Sequence, residues 1–286
     1  MTNNKKAIFY AVLAAALYAL NAPISKLLLV QIPSTMMAGL LYLGAGTGMF
    51  FMEKLNKNKA ELPLTKKELP YTVAMVALDI VAPIFLMIGL TKGSAANASL
   101  LNNFEIVATS LIALCIFKES ISKRLWLAIV LVTVSSILLS FEDMSSLAFS
   151  RGSLFVLLAC VCWGFENNCT RMLSSKNPAQ IVIIKGLGSG LGSLILSLII
   201  GERYFHMGYI GLALLLGFVA YGLSIYFYIY AQRYLGAAKT STYYAISPFI
   251  GAGLSLVVFR EMPSAVFLIA LAIMATGTYF ASTGDE

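Results

Sequence analysis

Charge is what this chain has least of. Only 12% of its 286 residues are Asp, Glu, Lys or Arg, while 59% are hydrophobic and the mean hydropathy is +0.84. A soluble domain carries about 25% charge, so water cannot be the solvent for most of this surface. Histidine is nearly absent as well. The single one, His206, falls in a connection between apolar runs, and no zinc, serine-triad or phosphate-loop motif accompanies it. The four cysteines, Cys115, Cys160, Cys162 and Cys169, lie inside apolar runs without a CxxC pair beside ligand histidines, and they read as core or lipid-facing thiols. These absences leave no catalytic residue, no metal site and no cofactor to expect, and they argue against an enzyme. Period-two alternation is missing too, which excludes a β-barrel. The formal charge of +7 does not indicate a nucleic-acid partner, because the basic residues sit in short connections and form no basic face interleaved with aromatics.

What is there is apolar length. A helix needs about 20 apolar residues to cross the hydrocarbon, and ten stretches of that order follow one another: 7–30, 33–52, 70–90, 94–117 and 125–141, then 152–174, 178–200, 207–230, 236–259 and 264–282. The first continues past Asn21 and Pro23 without a small-residue cleavage site, so it reads as a retained span rather than a signal peptide. With the N-terminus in the cytoplasm, fourteen of the twenty basic residues fall inside and five outside, with Lys185 within a span. An even number of spans returns the C-terminus to the same side. The expectation is a multi-pass protein of the cell membrane with both termini cytoplasmic, its lysine-rich 53–68 connection a solvated loop.

The chain also resembles itself. Tyr18-Ala19-Leu20-Asn21-Ala22-Pro23-Ile24-Ser25-Lys26 in the first span runs parallel in character to Trp163-Gly164-Phe165-Glu166-Asn167-Asn168-Cys169-Thr170-Arg171 in the sixth: aromatic, polar, then hydroxyl and cation. Phe117-Lys118-Glu119 matches Phe259-Arg260-Glu261, and the same offset pairs Ser99 with Ser241. The halves are taken as 1–146 and 147–286. Each holds five spans, an odd number, so the second must enter the membrane from the opposite side. The expected fold is therefore an all-α membrane protein of ten transmembrane helices arranged as two inverted five-helix repeats. That is the architecture of alternating-access carriers with a site near the midplane; a channel or pore for small polar solutes is the alternative, since a polar stripe can line either.

These residues resemble the drug/metabolite transporter superfamily, in particular its ten-helix EamA-type members. The resemblance rests on Trp163-Gly164-Phe165-Glu166-Asn167-Asn168 with Arg171, on Ala98-Ser99 to Glu105 closing on Lys118-Glu119, and on Ser247-Pro248-Phe249 with Phe259-Arg260-Glu261. Members usually carry a Glu-Pro pair in the fourth and ninth helices; here Glu105 stands alone in one half and Pro248 alone in the other. An arginine common early in the second helix of each half is replaced by Leu40 and Lys185. The resemblance implies a transporter fold in a family that carries amino acids, other metabolites and drug-like compounds.

Four charges fall well inside the spans, Asp79, Glu105, Glu166 and Lys185, and intramembrane charge is functional by default. Glu166 and Lys185 stand about equally far from the turn at Asn177-Pro178, so antiparallel helices bring them to one depth, where they either pair or meet substrate. Trp163, Glu166, Asn167 and Thr170 share one helical face, and Tyr18 and Asn21 repeat the pattern in the first span. Asn102 lies beside Glu105 at mid-depth, and Tyr221, Tyr243 and Tyr244 add aromatic lining. All of these are candidate substrate-binding residues, with Asp79, Glu105 and Glu166 the candidates for carrying a proton. Glycines 186, 188, 190 and 192 favour tight packing or bending. The expected partners are the lipid bilayer and a small molecule, either an organic cation or drug-like compound suited to aromatic faces beside a carboxylate, or an amino acid suited to an acid with a base. Without an ATP-binding motif, uphill transport would draw on an ion gradient or on exchange.

Overall fold

The computed structural model describes residues 3–55, 62–118, 121–143, 148–173 and 176–282. In lipid every backbone N–H and C=O must be satisfied within its own segment, and this chain answers with helix almost throughout. The helices are α1 (Asn3–Ala19), α2 (Asn21–Leu28), α3 (Ser34–Leu55), α4 (Leu69–Lys92), α5 (Ala95–Leu101), α6 (Phe104–Phe117) and α7 (Lys123–Ser140). They continue as α8 (Arg151–Leu173), α9 (Pro178–Ile199), α10 (Met207–Gly217), α11 (Ser224–Tyr244), α12 (Ser247–Phe259) and α13 (Ala265–Ser282). A two-stranded ribbon, β1 (Phe141–Asp143) against β2 (Ala148–Phe149), joins α7 to α8. The expected boundary between the halves, 146/147, lies outside the described residues. Among the described residues eight stretches are long and apolar enough to cross a membrane, and two shorter apolar helices, Ser247–Phe259 and Ala265–Ala281, follow them.

Where helices break, proline explains two of the three interruptions. Proline lacks an N–H and its ring clashes with the carbonyl four residues back. Pro23 therefore ends α1 at Ala19, and Pro248 ends α11 at Tyr244. Both cases differ from the expected limits, which ran one span unbroken over 7–30 and placed a connection between 230 and 236. In the second case the helix runs on through a π-helical stretch, Phe218–Leu223, and past Gly236 to Tyr244. Glycine costs a helix only about 1 kcal/mol, whereas proline costs about 3. The third break, between α5 and α6, divides the expected 94–117 span at Asn102 and Asn103, where the Asn103 side-chain amide donates to the Leu100 carbonyl at 3.3 Å and competes with the helix.

The helices pack in pairs drawn from opposite halves. α3 lies along α9, α4 along α8, α1 along α11, α7 along α13, and α5 against α12. The α3–α9 crossing is backbone to backbone: a Cβ on Gly186 would lie 2.3 Å from the Gly46 amide nitrogen. α3 and α9 have 22 residues each, α7 and α13 have 18 each, and α6 and α12 both end on a left-handed residue that is not glycine, Lys118 (φ 58°) and Arg260 (φ 53°). Glu119, next in the matched motif, lies outside the described residues, as does the side chain of Ser241.

Candidate functional site

The glycine contact that seats α9 on α3 also places the preceding residue. Lys185 turns inward between α4 and α8, with its Nζ 3.1 Å from Asp79 Oδ2 and 3.0 Å from Glu166 Oε1. All three side chains are buried. Each carboxylate has a second partner: Tyr42 of α3 donates to Asp79 Oδ1 at 2.9 Å, and the Thr170 hydroxyl, one turn along α8, donates to Glu166 Oε1. Two carboxylates thus share one ammonium, a formal excess of one negative charge.

Glu105, at the start of α6, adds a third carboxylate. Its Oε1 accepts from Asn167 Nδ2 at 2.5 Å, and the same amide lies 3.2 Å from Thr109 Oγ1. Counting Asp79, Glu105, Glu166 and Lys185 together, the four intramembrane charges sum to −2. The stripe expected on one face of α8 therefore divides. Successive helical residues point about 100° apart, and here Glu166 looks to α4 and α9 while Asn167 looks to α6. Trp163 is packed in the apolar core, 5% exposed.

A tyrosine cluster adjoins these charges. The π-helical stretch carries Tyr221, whose hydroxyl accepts from Asn21 Nδ2 at 2.9 Å while Ser25 donates to Asn21 Oδ1 at 2.9 Å. The Tyr221 ring stands edge-on to Tyr18 (5.7 Å) and tilted to Tyr42 (5.1 Å), so Tyr42 joins the aromatic cluster to the charged one. Tyr244 packs on Tyr18 (6.1 Å) and Tyr228 (4.9 Å); Tyr243, next to it in α11, is half-buried. Sequence reasoning missed Tyr42. Its signal was a phenol amid apolar residues of the second span, where a buried hydroxyl needs a partner. Asn102, at the α5–α6 break, borders with Tyr18 and Asn21 a cavity of about 10 Å³. That is room for roughly one water molecule, so side chains fill most of the space at this point between α1, α5 and α12.

Ties close the bundle at both ends. At one, Lys176 pairs with Glu68 at 3.3 Å, the Asn177 amide donates to Leu62 O at 2.9 Å, and the Leu64 amide donates to Gln180 Oε1 at 2.8 Å. At the other, Lys26 Nζ donates to the Leu90 and Gly93 carbonyls, while the Glu202 carboxylate accepts from the Met36 amide at 2.9 Å and the Thr35 amide at 3.3 Å.

Comparison with known proteins adds three findings. The sequence pattern of the EamA-like transporter family matches residues 5–141 and 150–283. A protein of Methanothermobacter thermautotrophicus described as an uncharacterized transporter is 25% identical over 286 residues, an alignment spanning 93% of this chain and 83% of the relative. A crystal structure is similar with a TM-score of 0.69 at 17% identity, covering 97% of this chain and 96% of the other, a likeness of fold alone.

Proposed function

We propose, since this chain belongs to the EamA-like transporter family and transport of small solutes across a membrane follows from that membership, that it is a secondary transporter of small amine-bearing solutes working by alternating access. One observation carries the substrate class: two buried carboxylates, Asp79 and Glu166, share a single ammonium, Lys185, and a third, half-buried carboxylate, Glu105, is held by Asn167 of the same helix as Glu166, beside a cluster of tyrosines. A net charge of −2 in low dielectric is balanced by an organic cation, by the ammonium of an amino acid, or by protons on the carboxylates. Tyrosine faces suit the same cation. A carboxylate-only substrate would add to the negative charge instead of balancing it.

Alternating access draws support from symmetry. Exchanging the halves 1–146 and 147–286 maps α3 with α9 and α7 with α13 onto themselves, α4 with α8 onto α11 with α1, and α6 with α8 onto α12 with α1, each of them an observed packing. That is the pattern of two five-helix repeats related by a half-turn, which the odd number of spans per half converts to inversion. In this reading both termini are cytoplasmic in the cell membrane, the two sets of end ties open in alternation, and one of the three carboxylates carries the coupling proton. The experiment is uptake by the purified protein in liposomes. Saturable uptake and counterflow of a labelled amine are expected, with competition by amines and amino acids but not by simple carboxylates. Non-saturating ohmic flux would establish a channel instead, and equal competition by carboxylates would defeat the substrate class.

A further inference from the structure

Away from Lys185, two long helices broken by proline end at one point, and oxygens there lack hydrogen donors. The cavity at this junction is lined by Tyr18, Asn21, Ser99, Asn102, Ser247 and Gly251, among others. Ser99 Oγ, Asn102 Oδ1 and Ser247 Oγ are buried and have no hydrogen-bond partner among the described residues. Three such atoms in one cavity are too costly to leave without a ligand. Asn21 does not serve them, because its amide is engaged with Tyr221 and its carbonyl oxygen with Ser25.

Backbone oxygen converges on the same place. Pro23 has no N–H to offer the Ala19 carbonyl four residues back. The position a Cβ on Gly251 would take lies 3.2 Å from Ala19 O and 3.0 Å from Ser99 Oγ, so the missing side chain keeps a small space open between two oxygens. α1 and α11 end here, at Ala19 and Tyr244, and α2 and α12 begin here, at Asn21 and Ser247, so the partial charges of the helix ends offset one another. The preference for a positive ligand rests on Ala19 O and Asn102 Oδ1, oxygens that can only accept. The ligand is therefore small, positive and oxygen-seeking. A volume of about 10 Å³ admits one atom-sized guest and no organic molecule. The named lining oxygens are all neutral, with no carboxylate to offset the dehydration of a divalent ion, which favours a monovalent one.

We propose that this junction is a binding site for one small monovalent metal cation, sodium before potassium, held by Ser99, Asn102, Ser247 and the Ala19 carbonyl. The site is separate from the Lys185 cluster, and its occupancy bears on stability whatever the transported solute is. The test is the melting temperature of the full-length purified protein in sodium, potassium or choline chloride at constant ionic strength. Sodium should raise it saturably by about 2–8 °C over choline, and potassium by less. Ser247→Ala removes one oxygen without adding volume, and Gly251→Ala fills the cradle; each should shift the half-saturating sodium concentration upward at least tenfold. Where Gly251→Ala does not fold, Ser247→Ala alone decides. Equal melting in all three salts would overturn the proposal and assign the cavity to water. A sodium effect undiminished in the variants would overturn it as well, by placing the ion elsewhere.

Discussion

Lys185 is the residue on which the polar interior depends, and its stoichiometry decides what mutations there do. Lys185→Met leaves Asp79 and Glu166 as unpaired like charges, so we expect a loss of about 3–5 kcal/mol, the usual result of stripping one member from a buried ion cluster. Glu166→Gln leaves a balanced Asp79–Lys185 pair; it should cost about 1 kcal/mol or less while reducing amine transport at least tenfold. Thermal unfolding in detergent and liposome uptake measure the two effects. A Lys185→Met variant as stable as wild type would refute the shared cation. Combining Lys185→Met with Glu166→Gln should restore stability only when Asp79→Asn is added, because two acids rather than one face the amine. The Glu166–Lys185 contact was legible because both lie at similar distances from the Asn177-Pro178 turn, and a helical hairpin converts sequence distance into depth. Asp79 was legible as a costly buried charge but not as a partner, since nothing local brings α4 against α8 and α9. Tyr42 escaped for the same reason, its contact with Asp79 depending on how α3 meets α4.

The elements turn on where backbone bonds are lost and where backbones touch. Pro248→Ala returns an N–H to the Tyr244 carbonyl and lets α11 run into α12. We expect melting unchanged or raised and transport lowered at least tenfold, read in the same two assays; full transport would mean that the break has no working role. At the α3–α9 crossing, Gly186→Ala drives a Cβ into the Gly46 backbone at 2.3 Å, whereas a Cβ at Gly188 meets the Val76 side chain at 3.0 Å. Gly186→Ala should therefore cost about 1–3 kcal/mol and Gly188→Ala distinctly less, a difference that urea or thermal unfolding resolves. Helix existence was legible throughout from apolar length. Helix limits were legible where polar connections set them, as at α7, α8 and the end of α12, but the breaks inside spans were not: Pro23 and Pro248 were read within continuous spans, Asn102-Asn103 is no general breaker, and Gly236 is tolerated within a continuous helix.

For the whole molecule, cysteines introduced one at a time near Lys66 and near Phe205 should label from opposite faces of the membrane, the first from the cytoplasm. Labelling of both from one side would overturn the orientation drawn from fourteen inside and five outside charges. Ten apolar stretches could be read from the chain, but which helix meets which could not, because the principal contacts join helices far apart in sequence. That arrangement also bears on synthesis. Asp79 enters the bilayer with α4, while Lys185 leaves the ribosome 185 − 79 = 106 residues later, roughly 5–20 s at the usual pace of translation. Over that interval the acid has no ammonium, and the face of α3 around Gly46 has no helix to close on. The nascent first half must be sheltered by the insertion machinery until α9 emerges. Cells depleted of an insertase should accordingly accumulate less of the wild-type protein, and Asp79→Asn, which has no charge to shelter, should suffer less.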